Sequence, residues 1–465
     1  MAIRMRLPAL RAVLPTPARA AAPILARRAF GTTTRRTDVL KSTTKPPPMV
    51  GTGAKPQIDM MTGEVTGGAD LDPSRLTIEQ NMSPKEIPPS STLSFGRTFT
   101  DHMMCIPWNV ETGWGAPEIK PYGPLAIDPS STVLHYAPCL FEGMKAYKDA
   151  ETDTARLFRP DKNMERMTRS AARLAFPTFS GDHLITLIKK LVEVDKKWIP
   201  TDPGTSLYIR PTMIGVQAGL GVGASSDVLL FIISEHLDSG FAQYPDEFFP
   251  CSKVSPVGPY YKTGFKPIKL LATTTDVRAF PGGTGSFKLG SNYAGGVVPQ
   301  MKAAALGYSQ ILWLFGPDHQ LTEVGTSNLF ISLKHPDGTV ELVTPPLEDL
   351  ILPGVTRDSV LALTRAHADP SNPLRIEGLP EKFIVSERHM NMSELVAASK
   401  DGSLLEVFGT GTAAIVTACD GIGYDGQEIP VPCGPSGLGN IAEVCLREIQ
   451  GRQTGTIESE WSFVV

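Results

Sequence analysis

The chain has 465 residues, 41% of them hydrophobic and 20% charged, which is enough apolar material for two cores of ordinary size. A formal charge of -4 gives no electrostatic reason to expect nucleic acid, whose phosphates reward a basic surface, and no apolar run approaches the ~18 residues of a membrane span. Six cysteines lie without a Cys-x-x-Cys pair or a His-rich cluster at metal-ligand spacing, so they read as reduced intracellular thiols in a soluble protein with small-molecule partners.

Residues 1–37 carry eight arginines and no Asp or Glu before Asp38, the composition of a mitochondrial transit peptide, which predicts a matrix location. Residues 38–92 are rich in Pro, Thr, Ser and Gly and read as a lead-in without fixed structure, with order starting near Leu93. A smaller α/β domain follows over 93–253. Its first helix is predicted from Asp161 to Ala175, where Met164, Met167, Ala171 and Leu174 recur at helical spacing and Arg166, Arg169 and Arg173 lie opposite. A second, Gly181 to Trp198, turns Leu184, Leu187, Ile188, Leu191 and Val192 to one side and ends before Pro200.

Val228 to Ser234 is a continuous apolar run that reads as a strand buried on both faces, preceded by a strand over Ser206 to Arg210. The Gly, Pro and aromatic residues that follow mark an interdomain loop at 254–266, while Gln243 to Phe249 carries no pattern. The larger, sheet-rich domain, 267–465, is predicted to hold strands Ile311 to Phe315, Asn328 to Ser332 and Val340 to Thr344 and a helix from Val355 to His367. The fold class is α/β.

A glycine-rich turn, Pro281 to Tyr293, presents Lys288 where the backbone permits close approach of a ligand. A desolvated lysine is a nucleophile able to form a Schiff base with an aldehyde cofactor, although a lone loop lysine is ordinarily a solvated charge. Glu323, just before a strand, could hold a pyridine nitrogen protonated, or be a simple turn carboxylate. Leu352-Pro-Gly-Val-Thr-Arg357 at a helix start and Gly409-Thr-Gly-Thr-Ala413 suit an anion, each weakly by itself. Two loose Gly-x-Gly-x-x-Ala matches, at Gly219 and Gly409, lack the strand-helix-strand unit and acidic residue of a nicotinamide site.

In combination these segments resemble the fold-type IV aminotransferases, and within them the branched-chain aminotransferases. The resemblance runs from Phe95 to about Glu448 and rests on Phe95-Gly-Arg-Thr-Phe-Thr-Asp-His-Met103, Leu134-His-Tyr-Ala137, Leu140-Phe-Glu-Gly-Met-Lys-Ala146, Leu157-Phe-Arg-Pro160, Asn163-Met-Glu-Arg-Met167, Tyr208-Ile-Arg-Pro211, Gly282-Gly-x-Gly-x-x-Lys288, Leu321-Thr-Glu-Val-Gly-Thr326 and Val407-Phe-Gly-Thr-Gly-Thr412. It implies a pseudo-barrel C-terminal domain and pyridoxal 5'-phosphate as cofactor. Lys288 then carries the cofactor and moves the proton between the substrate's α-carbon and the cofactor's C4'. Glu323 pairs with the pyridinium, Tyr293 lies near the phenolic oxygen and Thr326 near ring or substrate. The phosphate falls to Arg166, Val355, Thr356 and Thr412.

The same resemblance places Phe95, Tyr136, Phe141, Tyr208, Tyr260, Thr326 and Ala413 around the substrate, with Arg210 and the Tyr136 and Tyr208 hydroxyls for a distal carboxylate. Val222 matches a loop that reaches the partner subunit's site, which implies a homodimer. The implied reaction is ping-pong transfer of the amino group between L-leucine, L-isoleucine or L-valine and 2-oxoglutarate, giving the branched-chain 2-oxo acids and L-glutamate. Some relatives carry a redox Cys-x-x-Cys after the phosphate threonine; Ala414-Ile-Val-Thr417 stands there in this chain, so that regulation is not expected.

Alternatives are a D-amino-acid aminotransferase or an aminodeoxychorismate lyase on the same fold, or a non-catalytic scaffold, which has no need of both Lys288 and Glu323. Neither His-Glu-x-x-His nor Gly-x-Ser-x-Gly occurs, against a metal or serine hydrolase.

Overall fold

The computed structural model describes residues 55–89, 96–149, 151–202, 204–237 and 266–465. The transit-peptide reading of 1–37, residues 254–265 of the interdomain loop, Gln243 to Phe249, Phe95 and Tyr260 lie outside these residues.

A first, almost wholly antiparallel sheet is centred on strands Phe99–Asn109, Asp227–Leu237 and Ser206–Gly215, in register Met103↔Ile233 and Arg210↔Ile233. Helices Pro160–Arg173 and Gly181–Val194 pack on it, burying Met164, Met167, Leu184, Ile188 and Leu191 against Ile106, Leu207, Ile209 and Leu230. Each such side chain contributes about 1.5–3 kcal/mol of burial. Ser180 accepts the amide of His183 and caps the second helix, whose predicted last turn is a separate 3-10 turn, Lys196–Trp198.

Strand Asp227–Leu237 corrects one expectation. Val228, Leu230 and Ile232 are buried, but Leu229, Phe231 and Ile233 only half-buried, because an antiparallel sheet with helices on one face needs only one apolar face. The lead-in is a second correction. Within 55–89, Val65 and Leu71 enter the first core, Thr77–Ile78 runs parallel to Glu118–Pro121, and the amide of Asn81 donates to His102 Nε2 at 2.9 Å. Isolated apolar anchors and single polar contacts leave no periodicity for composition to reveal.

The second sheet runs Gln320–Val324, Gln310–Phe315, Ile268–Thr273, Ile415–Tyr424, Leu404–Gly411, Ser327–Lys334, Val340–Thr344, Phe383–Glu387. Its first and sixth strands also pair, through Glu323↔Asn328 and Val324↔Ser327, so those strands close into a ring. One core joins Leu270, Leu312, Ile331, Val407 and Ile422, and another sets helices Val355–Ala368 and Asn440–Thr454 against Phe330 and Phe408. The chain then returns, since Ser462–Val464 pairs with Ala155–Phe158 of the first sheet. The Trp461 ring lies under the guanidiniums of Arg159 at 4.5 Å and Arg452 at 5.8 Å. The last residues therefore belong with the first sheet rather than with the 267–465 unit read from sequence.

Candidate active site

Lys288 is tied to the first sheet through its backbone. Its amide donates to Ser170 Oγ at 3.0 Å and its carbonyl accepts from the Phe141 amide at 3.1 Å, which fixes the glycine-rich turn against helix Pro160–Arg173 and strand Cys139–Phe141. The amine donates to Tyr293 Oη at 3.3 Å and stands 4.8 Å over the Phe141 ring. Desolvation, aided by the charge of Arg166, pulls it from the usual 10.5 to about 8. Burial, then the charge of Glu323, pushes the Tyr293 phenol up to about 12.

Glu323 is the penultimate residue of strand Gln320–Val324 and is buried. Its Oε1 accepts from the Leu352 amide at 2.6 Å and from Asn328 Nδ2 at 3.3 Å, and its Oε2 faces Arg278 Nε at 2.8 Å. Burial raises its pKa above the usual carboxylate value, while the charge of Arg278 opposes the shift. The chain turns at once through Gly325, at φ 53°, where a Cβ would come 2.0 Å from Gln310 Oε1. Thr326 follows on that turn and is exposed.

Spacing could not separate the three arginines of the first helix, and the structure does. Arg166 turns inward: Nε and Nη2 donate to Glu142 at 2.8 and 2.7 Å, and Nη1 donates to the Pro353 carbonyl at 2.9 Å. Asn163 Nδ2 donates to the same carboxylate at 2.7 Å. Arg169 and Arg173 instead lie over the Phe287 ring at 5.5 and 5.8 Å.

Beyond Pro353, Gly354 begins helix Val355–Ala368 without a side-chain cap, so the first amides, including those of Val355 and Thr356, lack intrahelical acceptors and suit an anion. Thr412 comes to the same place from the turn after strand Leu404–Gly411, its Oγ1 3.5 Å from the Gly143 carbonyl. The neighbouring Ala413 carbonyl accepts from Lys145 Nζ at 2.6 Å. Gly143, Lys145, Asn163, Val355, Thr356 and Thr412 line one small cavity.

Of the residues that the resemblance sets around a substrate, Phe141, Tyr208 and Arg210 stand together. Arg210 Nη2 donates to Tyr208 Oη at 2.9 Å and its guanidinium lies 4.7 Å over the Phe141 ring. Tyr208 needs Gly143 beside it, since a Cβ there would meet its hydroxyl at 2.1 Å. Tyr136 stands elsewhere. It is 46% exposed, and its hydroxyl donates to the Leu220 carbonyl at 2.5 Å, where it shares a cleft of about 660 Å³ with Val222, itself 83% exposed. Within one chain, Tyr136 thus joins the Val222 loop rather than Arg210 and Tyr208.

Sequence reading missed Glu142, Lys145, Asn328 and Arg278. The first two sit inside the Leu140 to Ala146 motif, which could have flagged them; Arg278 lies in a loop with no pattern.

The groups assembled here suit an aromatic aldehyde phosphate: an amine of lowered basicity, a phenol, a buried carboxylate and an uncapped helix. Residues 139–398 match the class IV amino-transferase family. The mitochondrial branched-chain-amino-acid aminotransferase of Saccharomyces cerevisiae is 49% identical over 401 residues, 86% of this chain and 94% of that protein. The chain belongs to the branched-chain-amino-acid aminotransferases of class IV. The mitochondrial enzyme of Bos taurus is 43% identical over 395 residues, 84% of this chain and 91% of the relative.

In fold, the Escherichia coli branched-chain amino acid aminotransferase superposes with a TM-score of 0.56 at 22% identity, covering 78% of this chain and 98% of that one. The T.th. branched-chain amino acid aminotransferase complexed with N-(5'-phosphopyridoxyl)-L-glutamate does so with 0.54 at 22% identity, covering 77% and 97%. Pyridoxal 5'-phosphate is the cofactor of this family member, and the half-buried Lys288 and Tyr293, the buried Glu323 and the uncapped helix fit it.

Proposed function

We infer that this aminotransferase moves the amino group reversibly between L-leucine, L-isoleucine or L-valine and 2-oxoglutarate, and that Lys288 is its catalytic residue. The observation that carries the reading is the lysine of lowered basicity set against Tyr293 and a buried Glu323. Bound pyridoxal phosphate supplies an electron sink that makes the substrate's α-proton acidic.

The protein's residues do the rest. Lys288 holds the cofactor, yields to the substrate amine, and then takes the proton from the α-carbon and returns it at C4'. Glu323 holds the proton on the ring nitrogen, and Tyr293 donates toward the phenolic oxygen. The Val355 and Thr356 amides, Thr412 and Arg166 bind the phosphate. Phe141, Tyr208, Ala413 and Thr326 enclose an aliphatic side chain, a set to which the resemblance alone adds Phe95 and Tyr260, while Arg210, with the Tyr208 hydroxyl, receives the distal carboxylate of glutamate. Leucine and glutamate then share one pocket, with the Arg210 guanidinium held 4.7 Å over the Phe141 ring beside the path of an alkyl chain. Val222, and Tyr136 beside it, reach a partner's site in a homodimer, consistent with their exposure. We place the enzyme in the mitochondrial matrix, on the arginine-rich leader and the mitochondrial relatives.

The test is an absorbance scan of the cofactor-loaded protein before and after L-leucine, then after 2-oxoglutarate. The visible band should give way to a near-ultraviolet band with leucine and return with 2-oxoglutarate. A band indifferent to L-leucine overturns the substrate; no band with excess pyridoxal phosphate overturns the role of Lys288.

A further inference from the structure

We propose that Lys145 supplies the positive charge that compensates the cofactor's phosphate at the start of helix Val355–Ala368. The inference rests on the cofactor reading above and adds a residue that reading does not use.

The argument is one of charge. The guanidiniums around this helix start already have carboxylates: Arg166 has Glu142 at 2.7 Å, Arg159 has Asp358 at 2.6 Å, Arg357 has Glu387 at 2.6 Å, and Arg278, at the far end of the site, has Glu323 at 2.8 Å. Each pair is close to neutral as a unit, so Arg166 can donate an N–H to an anion without adding net charge. A phosphate that arrives with close to two negative charges needs an uncompensated cation.

Among the described residues lining the small cavity bounded by Val355, Thr356 and Thr412, Lys145 alone is charged. It is 4% exposed, and its one described hydrogen bond goes to the Ala413 carbonyl at 2.6 Å. A carbonyl satisfies one N–H and leaves the charge itself unpaired. Burial accordingly pulls this amine down to about 7, the cost of a buried ammonium lacking an anion. An incoming phosphate removes that cost.

The placement also serves the turn that carries Thr412. Ile415, at its far end, holds φ at 60°, a left-handed conformation unfavourable for a β-branched residue, and the Lys145–Ala413 bond pins the turn from the facing strand Met144–Lys148. Charge compensation and turn positioning are separable, because glutamine keeps an N–H for the carbonyl and loses the charge.

Apo-protein carrying Lys145→Gln or Lys145→Arg is titrated with pyridoxamine 5'-phosphate and with pyridoxamine, following protein fluorescence. The native protein should bind the phosphorylated ligand far more tightly. Lys145→Gln should shrink that preference by about ten- to a hundred-fold, the size of a charge-assisted contact, with pyridoxamine affinity unchanged, and Lys145→Arg should restore most of it. If Lys145→Gln weakens both ligands alike or leaves the preference intact, the inference is overturned. A native protein that does not distinguish the two ligands overturns the phosphate site instead. Should Lys145→Gln not fold, the same ratio in Lys145→Met decides the matter.

Discussion

Glu142 holds Arg166 in a two-pronged ion pair, with Nε–Oε1 at 2.8 Å and Nη2–Oε2 at 2.7 Å, and the carboxylate is fully buried. Glu142 reaches this position on the turn after strand Cys139–Phe141, the strand whose Phe141 amide also holds the Lys288 carbonyl. One short segment therefore positions both the lysine proposed to hold the cofactor and the arginine proposed for its phosphate.

Glu142→Gln should reveal this coupling. It leaves Arg166 buried without its anion, which costs about 3–5 kcal/mol when one partner of a buried pair is removed. In the apo-protein the loss should be complete; with cofactor bound, the phosphate takes over part of the role and the loss should be smaller. Urea unfolding of both forms measures the difference. Equal losses with and without cofactor would show that Arg166 does not meet the phosphate.

The lowered basicity of Lys288 gives a pH prediction. The neutral amine captures the aldehyde, so the rate at which apo-protein develops the visible band should rise with pH and reach half its maximum near 8 instead of near the usual 10.5. The same shift makes apo-protein stability rise between about 8 and 10.5, because in that window the unfolded chain binds the proton and the folded chain does not. That contribution is lost as pH falls through 8. Stopped-flow capture rates across pH 6.5 to 10.5 test the first point, and a midpoint above about 10 would refute it.

How much of this was readable beforehand depends on whether the information is periodic or relational. Helix Gly181–Val194 was legible because burial repeats along it with the helical period, and strand Val340–Thr344 because it is a short β-branched run, buried at every position. Lys288 and Glu323 could be singled out through ordered motifs, and the fold brings them into one site with Tyr293. The ring closure through Glu323↔Asn328 was not, since a pairing across Gly325 looks like any turn. Nor was the return of Ser462–Val464, whose anchor is a single tryptophan between two arginines from distant segments. Spacing could not rank Arg166 above Arg169 and only the resemblance did; the Arg166–Glu142 and Arg278–Glu323 ion pairs exist only once the fold has brought the partners together.

Glu323→Gln separates cofactor capture from the chemistry that follows. The amide can still accept from the Leu352 N–H, so the site should keep its shape and Lys288 should still capture the cofactor. With the charge gone, the ring nitrogen is no longer held protonated, and amino transfer from L-leucine should slow by about 10²-fold or more, as when one preorganised electrostatic contact is removed. Single-turnover absorbance measures this, and an unchanged rate would remove Glu323 from the mechanism.

A final prediction concerns stability away from the chemistry. Helix Asn440–Thr454 begins at Gly439, which has no side chain to cap it, and Glu406 performs that role from strand Leu404–Gly411: Oε1 accepts from the Ile441 amide at 2.9 Å and Oε2 from the Ala442 amide at 3.0 Å. The glycine is required by the cap, since a Cβ at 439 would lie 2.2 Å from Oε2. Glu406→Ala leaves two amides without partners, at about 1–3 kcal/mol each. Glu406→Gln keeps one acceptor and should cost about half as much, while Gly439→Ala should destabilise by forcing the carboxylate away. All three should lower the thermal midpoint in that graded way and leave the KM for L-leucine unchanged. A changed KM in Glu406→Gln would mean that this helix start is coupled to the pocket and does not simply support the second core.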